Sequence, residues 1–156
     1  MIVPLPGGKT LEFSHVVFDY NGTIATNGFI SNQVRLLLRD LSQTMHVTVI
    51  TADTFGLARE QLRDLEDIKL VILEADENGG AKANYVRACG AETVIAIGNG
   101  VNDRPMLDVA GLAICVIGGE GASVKTLLSA DVAVTEIEAA ISLLLNPKRL
   151  VATLRS

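Results

Sequence analysis

Six short apolar runs recur along the chain, at residues 15–18, 46–50, 68–73, 94–97, 112–117 and 132–134. Their length and their content of β-branched residues predict buried strands. Between them the apolar positions change to a helical period. Val34, Leu37, Leu38 and Leu41 line one face behind Ser31, a good N-cap residue. Leu57, Leu62 and Leu65 follow a cap at Asp53 or Thr54, and Ala81, Tyr85, Ala88 and Cys89 mark a third helix after a loop over 74–80. A short helix carries Met106, Leu107 and Val109, another runs over 122–128, and Ile137, Ala140, Ile141 and Leu144 close the chain in a helix that stops before Pro147. Residues 2–13, with Pro-Gly-Gly in the middle, predict a β-hairpin. Strands alternate with helices through connections too short to hold another unit. The expectation is one α/β domain over 1–156, with a mostly parallel sheet between two helical layers over 15–145.

Composition sharpens this picture at three points. Hydrophobic residues make up 49% of the 156 residues, yet no run is long enough to span a membrane. High apolarity in short runs fits strands covered on both faces. The formal charge of −5 and the absence of a basic cluster argue against a nucleic-acid partner, and 4% aromatic content leaves no stacking platform for bases. No charged segment followed by an apolar stretch opens the chain, from which a cytoplasmic location is expected. Cys89 and Cys115 fall in a helix pattern and a strand, and both read as reduced core residues. Gly-Gly-Lys-Thr at 7–10 lacks the first glycine of a phosphate loop, because Val3 stands there, and it belongs to the hairpin. His15 and His46 lie in strands and read as structural.

The chemistry is concentrated where the runs end. Asp19 follows the first strand and is followed at once by Asn21-Gly22-Thr23; Thr51 ends the second; Asn99 and Asp103 follow the fourth; Lys82 opens a helix. Each has an ordinary reading as a turn former, a helix cap or a solvated side chain. Together they make one constellation, because ligands of an open α/β sheet bind beyond the carboxyl ends of its strands. Asp19 is an anion able to attack phosphorus or hold a cation. Thr51 offers a hydroxyl and Lys82 a point charge to phosphoryl oxygens. Asn99, Asp103 and Asp19 supply hard oxygen ligands suited to Mg²⁺.

The order D-x-x-G-T at 19–23, threonine ending the second strand, a lysine at a helix start and G-N-G-V-N-D at 98–103 resembles the haloacid dehalogenase superfamily. The resemblance covers nearly the whole chain from His15 onward. DYNGT, TADTFG and GNGVND are also similar to the phosphorylation-domain motifs of P-type cation ATPases and their small soluble relatives. This resemblance implies a Rossmann-like core and a magnesium-dependent phosphohydrolase in which Asp19 becomes an aspartyl phosphate. It implies Mg²⁺ held by Asp19, the main-chain carbonyl of Asn21 and Asn99, with Asp103 holding a metal-bound water or orienting Lys82. Thr51, Lys82 and the amides around Tyr20, Asn21, Gly22 and Ala52 would bind the phosphoryl group of a phosphorylated small molecule or phosphoprotein. Two departures stand out. Asn21 replaces the aspartate that serves as general acid and base in such phosphatases, and Asn99 replaces a more usual aspartate ligand. The intervals between Asp19 and Thr51 and between Asp53 and Lys82 are too short for a cap domain. A capless site must be closed by an oligomeric neighbour or by the substrate itself; a homo-oligomer, dimer or tetramer, is expected, with the hairpin at 2–13 reaching the neighbour. The other reading is a non-enzymatic or phosphoacceptor protein built on the same pocket.

Overall fold

Six parallel strands build the central sheet of the computed structural model, which describes residues 1–5, 8, 10–53, 56–74 and 80–155. In chain order they are β3 (His15–Asp19), β4 (His46–Thr51), β5 (Ile68–Ile72), β6 (Val94–Gly98), β7 (Leu112–Val116) and β8 (Val132–Val134). Their spatial order is β5-β4-β3-β6-β7-β8. The chain thus winds outward from β3 in one direction, returns to β6 beside it, and winds outward the other way. The two halves meet between β3 and β6, where residues 15–18 pair in parallel with 94–97. At such a reversal the connections leave in opposite directions and open a crevice at the carboxyl ends of the strands.

Side chains alternate across the sheet and so form two cores. On one face Val16 and Phe18 of β3, Ile95 and Ile97 of β6, and Leu112, Ile114 and Val116 of β7 pack together. Helices α1 (Asn32–Ser42) and α6 (Ile137–Leu145) cover them with Val34, Leu38, Leu41, Ala140, Ile141 and Leu144. On the other face Val17, Ala96 and Ala113 meet α3 (Gly80–Ala88) and α4 (Arg104–Val109) through Val86, Met106 and Leu107. The two alanines leave room for these helices to approach the sheet closely. The close approach sets where α3, which carries Lys82, can reach.

The α/β expectation, the parallel sheet and the N-terminal hairpin are observed. Strands β1 (Ile2–Pro4) and β2 (Thr10–Glu12) pair antiparallel, Val3 opposite Leu11. Pro6 and Gly7 of the anticipated turn, and Thr54 as a cap, lie outside the described residues. Ser31 caps α1 as expected, accepting from the Val34 amide at 3.2 Å. Helices α2 (Leu57–Gln61) and α5 (Val124–Leu127) are shorter than their apolar patterns suggest. Leu62 and Leu65 are buried from turns instead. The chain also does not close at α6. Pro147, which stops α6, opens α7 (Pro147–Leu154), since proline is well tolerated in the first helical turn, and Leu150 of α7 is fully buried. No helix among the described residues is long and apolar enough to cross a membrane.

Candidate active site

Asp19 ends β3 at the crevice, only 7% exposed. A buried carboxylate needs partners, and it has them. Lys82 Nζ donates to Asp19 Oδ1 at 2.5 Å and to Asp103 Oδ1 at 2.6 Å. Asp103 is completely buried, and its other oxygen accepts from the amides of Asn99 (3.0 Å) and Gly100 (2.8 Å). One carboxylate therefore shapes the Gly-Asn-Gly turn and fixes the lysine that faces Asp19. With this set of partners Asp103 is geometrically placed to orient Lys82.

Two opposing effects act on Asp19. Burial, and then the neighbouring Asp103 carboxylate, push its pKa up to about 7, while Lys82 and the Tyr20 amide pull it back. Burial alone would lower the Lys82 pKa, but Asp19 and Asp103 outweigh it and the ammonium is held above its ordinary range. Two carboxylates share one ammonium, so the cluster carries a formal excess of one negative charge.

Asp19 Oδ2 faces away from Lys82 toward Thr23 and Asn99. The Thr23 hydroxyl lies 3.4 Å from Asp19 Oδ2 and 3.2 Å from Asn99 Oδ1, which brings both oxygens to one spot. Asn99 cannot turn its amide nitrogen there, because Nδ2 donates to the Gly121 carbonyl at 3.0 Å. Gly22 holds φ +77°, and a Cβ on it would come within 2.4 Å of Asn99 Nδ2. The glycine of the D-x-x-G-T stretch is thus required both by its backbone and by the side chain it passes. Hard oxygens converge beside an excess negative charge, and that donor set fits Mg²⁺. Among the described residues no group of three His, Cys, Asp or Glu side chains gathers, so a bound ion would rely on amide and main-chain oxygens beside Asp19.

Above these groups opens a cleft of about 330 Å³, lined among others by Asp19, Asn21, Thr51, Ala52, Lys82 and Asn99. The structure thus brings every side chain singled out at the strand ends to one place. Thr51 is buried, and its hydroxyl oxygen accepts from the Asp53 amide at 3.0 Å, which leaves its O–H to point elsewhere. Asn21 and Ala52 are exposed at the mouth. Tyr20 turns its ring into the core and donates its hydroxyl to the Gly28 carbonyl at 2.8 Å, so only its main chain faces the site. Sequence reasoning gave no role to two buried threonines. Thr23 bridges Asp19 and Asn99, and Thr126, from α5, donates to the Gly100 carbonyl at 2.7 Å. Thr23 lies within the quoted motif; Thr126 sits too far along the chain for spacing to signal it.

This architecture is the haloacid-dehalogenase-like hydrolase fold. The 3-deoxy-D-manno-octulosonate 8-phosphate phosphatase of Moraxella catarrhalis, solved with magnesium, phosphate and its sugar acid, superposes with a TM-score of 0.72 over 90% of each chain at 17% identity. The cobalt-bound octulosonate 8-phosphate phosphatase of Haemophilus influenzae gives 0.72 over 90% of this chain and 92% of that one, at 19% identity. No protein-family model matches the chain. A stretch of 62 residues is 58% identical to the uncharacterized protein MJ0073 of Methanocaldococcus jannaschii, covering 40% of this chain and 67% of that protein. The chain belongs to the same family as MJ0073.

Proposed function

We propose that the protein is a magnesium-dependent phosphohydrolase that works through an aspartyl phosphate on Asp19. The observation that carries this is the buried Asp19–Lys82–Asp103 cluster at the switch point of the sheet, under a cleft that also holds Thr51 and Asn99. An ion held by Asp19, the Asn21 carbonyl and Asn99 would let the phosphoryl group approach a carboxylate of like charge. Asp19 would attack phosphorus: a P–O bond forms to its carboxylate, the bond to the leaving oxygen breaks, and that oxygen takes its proton from solvent water. Lys82, the Thr51 hydroxyl and the amides near Tyr20, Asn21, Gly22 and Ala52 neutralise charge on the phosphoryl oxygens. Water then attacks phosphorus, the bond to Asp19 breaks, and phosphate and the free carboxylate result.

Asn21 stands at the mouth where a proton would be given to the leaving oxygen and later taken from water. Its carboxamide does neither. The first step therefore favours good leaving groups such as the acetate of acetyl phosphate, and the second is slow. This favours a second reading in which the long-lived phosphorylated form itself is the output, as in a phosphoacceptor. Asn21→Asp is expected to raise phosphate-ester turnover by roughly 10²-fold, the lower range of general acid–base catalysis. The test follows phosphate release and acid-trapped phosphoprotein in wild type, Asn21→Asp and Asp19→Asn, with magnesium and with EDTA. Absence of labelling on Asp19 by any donor, with flat turnover across all three, would defeat the covalent mechanism.

A further inference from the structure

Beside the phosphate cleft lies a second one of about 300 Å³, lined by Tyr20, Asn21, Asn27, Gly28, Asp53, Leu57 and Glu120. Asn21 and Asp53 line both, so the two adjoin at the mouth, two residues along the chain from Asp19. In the proposed reaction a group departing from phosphorus opposite Asp19 would pass Asn21, which borders this space. We infer that the alcohol released in the proposed reaction is neutral or cationic, a small polyol or amino alcohol, selected by Asp53, Glu74 and Glu120. This rests on the phosphohydrolase reading and names its substrate class.

The argument is one of charge in a shaped space. Among the described residues lining the two clefts, Lys82 is the only cationic side chain, and Asp19 and Asp103 already hold it. The charged side chains left for the departing group, among the described residues, are all carboxylates. Two of them are fixed in place. Asp53 Oδ1 accepts from the Ala58 amide at 2.9 Å, and its own amide donates to Thr51, which couples its position to the phosphate end. Glu120 Oε1 accepts from the Asn27 amide at 2.9 Å, which ties the loop after β7 to the one after β3. Asn21 and Asn27 add neutral hydrogen-bonding groups and Leu57 an apolar wall. A hydroxyl-rich or ammonium-bearing group finds acceptors here. A carboxylate or a further phosphate finds like charge with no free cationic side chain among the described lining residues to offset it, and such repulsion is a means of specificity. The same repulsion acts against a nucleoside triphosphate as phosphoryl donor.

Three phosphomonoesters of similar size separate the cases: phosphoethanolamine, glycerol 3-phosphate and 3-phosphoglycerate. With magnesium present, and in the Asn21→Asp background that supplies the proton an alkoxide needs, kcat/KM is expected to fall in that order, by roughly tenfold per unit of charge at low ionic strength. High salt should narrow the spread. Glu120→Gln and Asp53→Asn keep the oxygens that accept from Asn27 and Ala58 but remove the charge, and each should shrink the ratio of the first ester to the third by severalfold. A binding arm, in which each ester competes with inorganic phosphate in calorimetry with magnesium, reads the same order without turnover. A flat or inverted order that the two variants leave unchanged overturns the inference while the phosphohydrolase reading stands. Absence of both binding and turnover for every ester and for phosphate overturns that reading, and the inference with it.

Discussion

Replacing Asp19 with asparagine should make the metal-free protein more stable at neutral pH than at acid pH, relative to wild type. The folded chain holds the Asp19 carboxyl up to about 7, against an ordinary 3.8. Between those values the folded state keeps a proton that the unfolded chain releases, so stability falls as pH rises through the window. Below 3.8 the penalty is absent, and above 7 it is complete. At about 1.36 kcal/mol per pH unit the full penalty is on the order of 4 kcal/mol, more than half of which develops between pH 5 and 8. The neutral carboxamide of the variant carries no such penalty. Lys82 stays charged across this range because its pKa is raised, and Asp103 still pairs with it, so its loss of one partner adds a constant offset rather than a slope.

The assay is urea unfolding of both proteins at pH 5, 6, 7 and 8 in EDTA, with the free-energy difference plotted against pH. The expected result is a gain on the order of 2–3 kcal/mol for Asp19→Asn across the series. Magnesium added at pH 8 should stabilise wild type and leave Asp19→Asn unmoved, because a cation favours the ionised carboxylate. Parallel curves from pH 5 to 8 would refute the reasoning. They would mean that attraction to Lys82 cancels the cost of burial and that Asp19 titrates like a surface carboxylate.

Three further outcomes follow from the same contacts. Gly22→Ala forces a side chain into a φ of +77° and against Asn99 Nδ2, so it should cost about 1–3 kcal/mol in urea unfolding and weaken magnesium binding measured by calorimetry. Thr126→Val removes the donor to the half-buried Gly100 carbonyl and should cost about 1 kcal/mol; an unchanged midpoint would show that this clamp is idle. The open cleft and the exposed Val124 and Leu128 lead us to expect a species larger than one chain in sedimentation equilibrium at micromolar protein, and a monomer throughout would remove the closure argument.

How much of this the sequence could express depends on whether a residue's role is local or distant. Asp19, Thr51 and Asn99 were legible because an apolar strand ending in a polar turn is itself a local pattern, and β order then brings the ends together. Lys82 was legible as one member of the strand-end constellation rather than from its own helix, where a lysine is ordinarily solvated. Thr126 was not legible, since its one bond reaches back 26 residues to a carbonyl. Helix α7 was hidden by Pro147, which ends one helix and begins another. Leu62 and Leu65 kept the helical period after α2 had ended because burial, which the pattern reports, does not require helical backbone. The acidic wall of the second cleft joins residues 53 and 120, which no spacing rule connects.

The two asparagines at the site act in the same electrostatic direction. An aspartate at 99 would strengthen the hold on a cation, and one at 21 would move protons, but each would add negative charge beside Asp19, the proposed nucleophile, which already shares one ammonium with Asp103. With asparagine at both positions the cluster keeps a single excess negative charge, so one divalent ion reverses its sign and makes the approach of a phosphoryl dianion favourable. A phosphorylated Asp19 would then be formed with less repulsion and broken down without a base. An arrangement of this kind suits slow turnover of activated donors. The carboxylates at Asp53 and Glu120 line the second cleft, outside that balance, and on the inference above they would act on substrate choice rather than on the chemistry at phosphorus.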